Sequence, residues 1–251
     1  MSGSTPPSSD VSVKSFAAAA NGQMIPVSGS LSYCSVTPQE DVDLQRMIHD
    51  PASATPPVIA SILPQLHIVL AAYLEKPHGE TGGPLMAFKK PADARRILSA
   101  HVHEAGKDYI FLASKDEDVA DYHDALYYEL ATLVVDRADE ELTRQFYSLL
   151  REELRNAVRG EVDDESWKLK DQLLSRQADP AKNTKTFRTY AREAMIDTLT
   201  LYLHGLCCDL DVETGPRQLP SRFLRKRLEL LRGLFPPPAG IAVFPEELQR
   251  T

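Results

Sequence analysis

From Tyr122 to Leu234, apolar residues recur at helical spacing almost without a break, and this run limits the class of fold open to the chain. Leu142, Phe146, Leu149, Leu150, Leu154 and Val158 repeat with a period of about 3.6, the spacing that lines one face of a helix. Gly160 stops them. A helix over Tyr122–Val135 precedes this one. Others follow from Ser166 to Ser175, over Phe187–Cys208 and over Ser221–Leu234, where Pro236-Pro237-Pro238 ends the pattern. Upstream the signals are shorter. Tyr109-Ile110-Phe111-Leu112-Ala113 is aromatic and β-branched between polar turns, which predicts a strand, and Leu85–Phe88 predicts another. Val58–Leu74 reads as a helical turn followed by a buried strand or a helix, because a short apolar run does not distinguish the two. Ala92–Glu104 reads as a helix, with Pro91 at its first position and Gly106 past its end. The expected fold is α+β and helix-dominated, a few short strands followed by a helical bundle.

At 251 residues the chain can bury one substantial core, and these signals place it within residues 57–235 as a single domain. Residues 1–56 are rich in Ser, Pro, Ala and Gly. They read as a disordered leader, because that composition buries too little apolar surface to offset its ordering entropy. Residues 236–251 read as a Pro-rich tail. The leader lacks the basic segment and long apolar core of a cleavable secretory signal, and its composition is that of leaders on proteins exported without one. The expected location is the cytoplasm, or export by such a route. Cys34, Cys207 and Cys208 make no disulfide framework and fit a reducing compartment. A net charge of −8 argues against a nucleic-acid partner, which needs a basic footprint. No run approaches the roughly 18 apolar residues of a membrane span. The expected partner is a protein or a peptide.

Two of the expected helices carry carboxylates where core residues belong. Tyr122, Leu126, Glu129, Leu130 and Leu133 fall on one stripe, because neighbours three and four apart share a helix face. Glu193 and Asp197 stand one turn apart on a mostly apolar helix, with Tyr190 and Arg192 just before them. Carboxylates at such positions are costly unless they serve a site or an ion pair.

The stretch Tyr128-Glu129-Leu130-Ala131-Thr132, with Tyr190, Arg192-Glu193, Asp197, Leu199–Tyr202 and the Pro220-led helix after it, resembles the anthrax lethal-factor-like branch of the zincin metallopeptidases over residues 95–235. In zincins, His-Glu-x-x-His on one helix supplies two zinc ligands and a general base. In the branch resembled here, a later acidic helix supplies the third ligand. The resemblance implies that Glu129 is a vestigial general base and that Tyr128 and Thr132 are degenerate ligand positions. It implies further that Glu193 is the only family-like ligand retained, on a paired acidic helix with Asp197 and Tyr190. Both defining histidines are missing. Tyr128 ligates only as a phenolate, which is demanding at neutral pH, and Thr132 is a poor zinc ligand. His123, five residues before Tyr128, is turned roughly 140° away on a helix. No metal or other cofactor is therefore expected, and zinc only if the chain is an enzyme after all.

Among the other histidines, His101 and His103 diverge by about 200° on a helix and cannot both face one metal there. Near a helix C-terminus they are favourable to the dipole, whereas in an extended segment they would share a face and could bind a metal. His49, His67, His78 and His204 have no context that sets them apart. The loop His78–Pro84 lacks the Lys-Ser/Thr ending of a phosphate cradle. Arg217, Arg222, Arg225, Lys226, Arg227 and Arg232 make the last helix basic. Its Phe223, Leu224, Leu228 and Leu231 stripe is expected to dock on the core, with the cations facing water or the acidic Asp163-Asp164-Glu165 patch.

The expected function is that of a non-catalytic, zincin-like pseudo-metallopeptidase that binds another protein, in keeping with an exported effector. The binding surface would be the groove between the Tyr109–Ala113 strand and the Tyr122 helix, with an exposed strand edge available to an extended peptide. One alternative is a divergent metal-dependent peptidase or hydrolase drawing ligands from His101, His103 or His123. The other is a helical protein-interaction domain unrelated to peptidases.

Overall fold

The computed structural model describes residues 11–20, 23–63, 65–76, 82–208 and 217–244. The fold is α+β and helix-dominated. It divides into two compact units, residues 1–53 with 63–129 and residues 54–62 with 130–251. The single domain expected over 57–235 thus takes in part of one unit and most of the other.

The chain opens with β1 (Val11–Ser12), α1 (Val13–Ala19), β2 (Ile25–Pro26) and β3 (Leu31–Ser35). Next come α2 (Asp41–Leu44), a π-helical segment Gln45–His49, α3 (Asp50–Ala54) and α4 (Pro57–Ile62). The strands β4 (Leu66–Ala71), β5 (Tyr73–Glu75) and β6 (Leu85–Ala87) follow, then a 3-10 turn Asp93–Arg95, β7 (Arg96–Ile97), β8 (Ser99–Glu104) and β9 (Lys107–Ala113). The expected leader is therefore folded from Val11 onward, and its first ten residues lie outside the described ones. Composition misled here because the segment's few apolar residues are well placed. Val13 and Ala17 of α1 and Cys34 of β3 are buried in the same cluster as Val69, Phe111 and Ala113, and Phe16 meets Phe111 edge-on at 5.9 Å.

Both sheets of the first unit are built from short strands. The larger has the order β2-β3-β4-β9-β8, the smaller β1-β6-β5-β7. In the larger sheet β3, β4 and β9 run parallel, and β2 and β8 flank them antiparallel. β4 and β9 are covered on both faces, which is why both read as near-continuous apolar runs. β8 alternates instead, with Ala100 buried and His101 and His103 exposed, as an edge strand does. The helix expected over Ala92–Glu104 is replaced by the 3-10 turn, β7 and β8. Gly106 is not a helix cap: Ala105 (φ 51°) and Gly106 (φ 77°) are the two central residues of a tight hairpin turn, closed by the pair Glu104 and Lys107.

Helices make up the rest: α5 (Val119–Arg137), α6 (Glu140–Arg155), α7 (Asp164–Ser175), α8 (Lys185–Cys207) and α9 (Ser221–Leu234). Three begin with a side chain that accepts one of the otherwise unpaired first-turn amides. Asp139 caps Leu142 N–H, Asp163 caps Glu165 N–H and Thr184 caps Phe187 N–H. The C-termini of α6 and α7 share a second device. Val158 N–H reaches Glu153 O and Ala157 N–H reaches Leu154 O, while Ala178 and Gln177 do the same to Leu173 and Leu174. The turn needs a left-handed residue, and here it is Ala157 (φ 50°) and Gln177 (φ 48°) rather than glycine. Replacing either by Gly relieves that backbone and is expected to raise stability by about 1 kcal/mol. Urea denaturation of Ala157→Gly and Gln177→Gly checks this, and an unchanged or lower midpoint in both would refute it.

Gly160 is a different case. Its φ is +87°, and a Cβ there would lie 2.2 Å from the backbone oxygen of Gln218. The close approach exists because Glu161 and Arg217–Leu219 are laced together, Glu161 N–H to Arg217 O at 2.9 Å and Leu219 N–H to Glu161 O at 3.0 Å. Gly160→Ala is expected to cost about 2–3 kcal/mol through overpacking against backbone, read as a lowered denaturation midpoint. A midpoint within experimental error of the parent would show that the lacing is dispensable. Beyond α9, residues 236–244 are not a loose tail throughout, since Phe244 is buried with the Arg225 guanidinium over its ring at 4.3 Å. Among the described residues no helix is long and apolar enough to cross a membrane.

Candidate functional site

β9 runs into α5, which carries Tyr128, Glu129 and Thr132. The N-terminal part of α5 is held by two backbone carbonyls of the π-helical segment: Tyr122 Oη donates to Met47 O at 2.9 Å, and His123 Nε2 bonds Arg46 O at 2.9 Å. His123 is buried by this arrangement. Glu129 is half-buried, and its Oε1 accepts a 2.8 Å hydrogen bond from Ser99 Oγ, at the first residue of the edge strand β8. Tyr128 turns outward and is 43% exposed. Thr132 Oγ1 is buried and has no hydrogen-bond partner among the described residues. The strand Tyr109–Ala113 is interior to the sheet, bonded on both sides, and among the described residues the edge strand next to it is β8, not the strand that the sequence singled out.

The acidic helix α8 has its own partners. Glu193 Oε1 receives Arg192 Nη1 at 2.8 Å, and the same guanidinium forks onto Asp136, Nε to Oδ1 at 2.9 Å and Nη2 to Oδ2 at 3.1 Å. The residue expected as a zinc ligand is thus half of an ion pair. Asp197 lies one turn on, beside the fully buried Ser166. Burial pushes its carboxyl up to about 7, against a Ser166 hydrogen bond that lowers it, and with Asp163, Glu161 and Glu193 adding like charge. Its Oδ2 has no hydrogen-bond partner among the described residues. Tyr190 is fully buried and donates to Glu161 Oε1 at 2.6 Å. Burial and that carboxylate hold its phenol well above the usual range.

Among the described residues, one buried polar cluster is not among the sites read from the sequence. Arg227 of α9 is fully buried and grips two carboxylates at once. Its Nε and Nη2 bond Glu153 of α6 at 2.9 and 2.6 Å. Its Nη1 and Nη2 bond Glu161 at 2.7 Å each. Lys170 of α7 completes the set, 3.2 Å from Glu153, 3.0 Å from Glu161 and 2.9 Å from Gly160 O. Two cations balance two anions, and each charge is hydrogen-bonded, which is the condition for holding charge out of water. Burial alone would raise Glu161, yet the Arg227 and Lys170 charges outweigh it and hold the carboxyl at about 2. The pattern was available in the sequence. Arg227 sits at the stripe spacing of Leu224 and Leu231, and Glu153 at that of Phe146 and Leu150. Arg227 is therefore the exception to the expectation that the cations of α9 face water. Arg217 meets it, 3.7 Å from Asp164 and over the Trp167 ring.

Of the remaining histidines, His67 bonds Ser32 Oγ, and burial, with the Lys107 charge second, lowers its imidazole. His49 stands edge-on to Tyr33 at 6.2 Å, His204 is buried, and His78 lies outside the described residues. His101 and His103 lie on a strand, not a helix, and so share one face. Both bond Asp108 Oδ1, His101 through Nε2 at 3.0 Å and His103 through Nδ1 at 2.9 Å. None of the three cysteines is in a disulfide, and burial pushes the Cys34 thiol up to about 11, which keeps it protonated and unreactive. Set against models of known families, curated proteins and solved structures, the chain matches none.

Proposed function

We propose that this chain is a zincin-like scaffold without peptidase activity, a pseudo-metallopeptidase that works by binding an extended segment of another protein, in the manner of an exported effector. The observation that carries the reading is the Ser99–Glu129 hydrogen bond, which ties the residue in the general-base position to the sheet edge. The order of elements supports it: β9 leads into the helix with Glu129, two helices intervene, and the helix with Glu193 and Asp197 follows, as the resemblance requires. The ligand positions argue against catalysis, since Tyr128 and Thr132 supply no imidazole and Glu193 is paired with Arg192.

β8 is the natural docking edge. Ala113 N–H donates to Leu98 O, and with Ser99 opposite Leu112 this makes the even-numbered residues of β8 face β9. The N–H and C=O groups of Ser99, His101 and His103 therefore point to the outer side, where an extended peptide can pair with them. An immobilised library of short extended peptides is expected to retain the protein, and His101→Pro, which deletes one outward N–H, is expected to abolish retention. With zinc supplied in excess, no member of that library should be cleaved. Cleavage that disappears in Glu129→Gln would sink the non-catalytic reading in favour of a divergent metallopeptidase. Retention indifferent to His101→Pro would favour a helical interaction domain.

A further inference from the structure

We propose that His101, His103 and Asp108 form a binding site for one late first-row divalent transition-metal ion, of which Zn²⁺ is the simplest probe. The hairpin register brings the three side chains together. His103 is directly opposite Asp108, and His101 is two residues along the same strand face. The chemistry of the set is specific: two imidazoles and one carboxylate suit Zn²⁺, Ni²⁺, Co²⁺ or Cu²⁺ rather than Mg²⁺ or Ca²⁺, which take oxygen ligands. Three protein ligands leave a coordination position open to water or to a group on a partner.

Two of the three ligand-to-ligand distances suit the same use, and the third, between the ring nitrogens on either side of the shared oxygen, closes only when the exposed His103 ring turns toward His101. Zn–N and Zn–O bonds of about 2.1 Å put two neighbouring ligand atoms on one tetrahedral ion about 3.4 Å apart, a few tenths of an ångström wider than a hydrogen bond. His101 Nε2 and His103 Nδ1 stand 3.0 and 2.9 Å from Asp108 Oδ1. In the metal-free cluster the two ring nitrogens share one carboxylate oxygen through N–H protons. In the bound form each ring takes the tautomer protonated on its other nitrogen, the freed lone pairs turn to the ion, and the oxygen becomes the third ligand. The anchor is rigid and the ligands are accessible. Asp108 is buried with its backbone N–H on Gln65 O at 3.0 Å, while the side chain of His103 is 56% exposed and that of His101 29% exposed. Exposure gives the His103 ring room to adjust around the ion. The site shares no residue with Glu129, Glu193 or Asp197, and it does not rest on the peptide-binding reading.

The test is isothermal titration of the metal-free, full-length protein with Zn²⁺, followed by thermal melts with and without the metal. The expected result is one saturable equivalent, weakened about a hundredfold by His101→Ala with His103→Ala, and a Zn²⁺-dependent rise in melting temperature that the double variant loses. Asp108→Asn should weaken binding as well. Because that buried change can disturb the fold, His103→Gln, on an exposed side chain, provides an independent reading and should weaken binding about tenfold or more. His49→Ala should leave binding intact. Absence of zinc binding in the parent, or binding undiminished in both histidine variants, overturns the proposal. Zinc that Glu193→Ala removes and the His101/His103 variant retains also overturns it, and points to the peptidase alternative.

Discussion

Arg227→Met is expected to lower the stability of the protein by about 4–5 kcal/mol, because it leaves two carboxylates and one ammonium in a site closed to water. Arg227 makes four hydrogen bonds to Glu153 and Glu161, all between 2.6 and 2.9 Å. Lys170 cannot neutralise both anions alone. The double variant Arg227→Met with Glu153→Met removes one charge of each sign and leaves the Lys170–Glu161 pair, 3.0 Å apart. It is expected to recover most of the loss, since replacing a whole buried pair by apolar groups is often neutral. Urea denaturation of the single and double variants decides the matter. If the double variant is as unstable as the single one, the cost lies in lost packing of the guanidinium and not in unpaired charge.

The same cluster sets an acid limit. Glu161 has a folded pKa of about 2 against roughly 4.3 in an unfolded chain. A depressed carboxyl pKa contributes stability that is fully present above the unfolded value and is lost as pH falls through the folded one. The window therefore runs from about pH 4.3 down to about 2, and the contribution is about 3 kcal/mol. In Arg227→Met this part of the acid dependence should flatten.

Asp197→Asn is expected to stabilise the protein by about 3–4 kcal/mol at pH 8 and by almost nothing at pH 3.5. Asp197 has the opposite shift, with a folded pKa of about 7 caused first by burial. The folded state therefore keeps a proton that the unfolded chain has released. Stability must fall as pH rises from about 3.9 through 7, and above 7 the folded protein carries an ionised carboxylate in a poorly solvated place. The amide of the variant carries no charge at any pH, so the gain should grow across that window and level off above it. Melting temperatures of parent and variant between pH 3.5 and 8 provide the check. A gain that does not depend on pH would mean that the amide improves local packing and that burial of charge is not the issue. Asp197 also belongs to the acidic pair that the zincin resemblance singles out, so its effect on peptide binding should be measured on the same variant.

The helical half of the chain was legible because its signals are local. The stripe from Leu142 to Leu154 is α6, which stops at Arg155 and leaves Val158 in the turn beyond it, and Pro236-Pro237-Pro238 does end α9. Tyr109–Ala113 is the core of β9, and Val58–Leu74 divides into α4 and β4. The first unit was much less legible. β3 is five residues long and pairs with a strand more than thirty residues away. No window of sequence contains both partners, so its Ser and Cys looked like linker composition. Pro91 and Gly106 framed Ala92–Glu104 as a helix, yet what decides that segment is its pairing with β9, a non-local contact that overrides local propensity.

The candidate site divides along the same line. By itself the sequence determined which residues carry charge at core spacing: Glu129, Glu193 and Asp197 were recognised, and Arg227 and Glu153 were recognisable. Helical periodicity is a one-dimensional property, so a misplaced charge shows without any structure. Only the tertiary structure decided what each charge meets. Glu129 meets Ser99 on a strand edge, Glu193 meets an arginine next to it in sequence, and Asp197 meets too little to offset its burial, which raises its carboxyl to about 7. Two histidines expected to diverge on a helix converge on Asp108, because a pleated strand repeats every second residue while a helix does not.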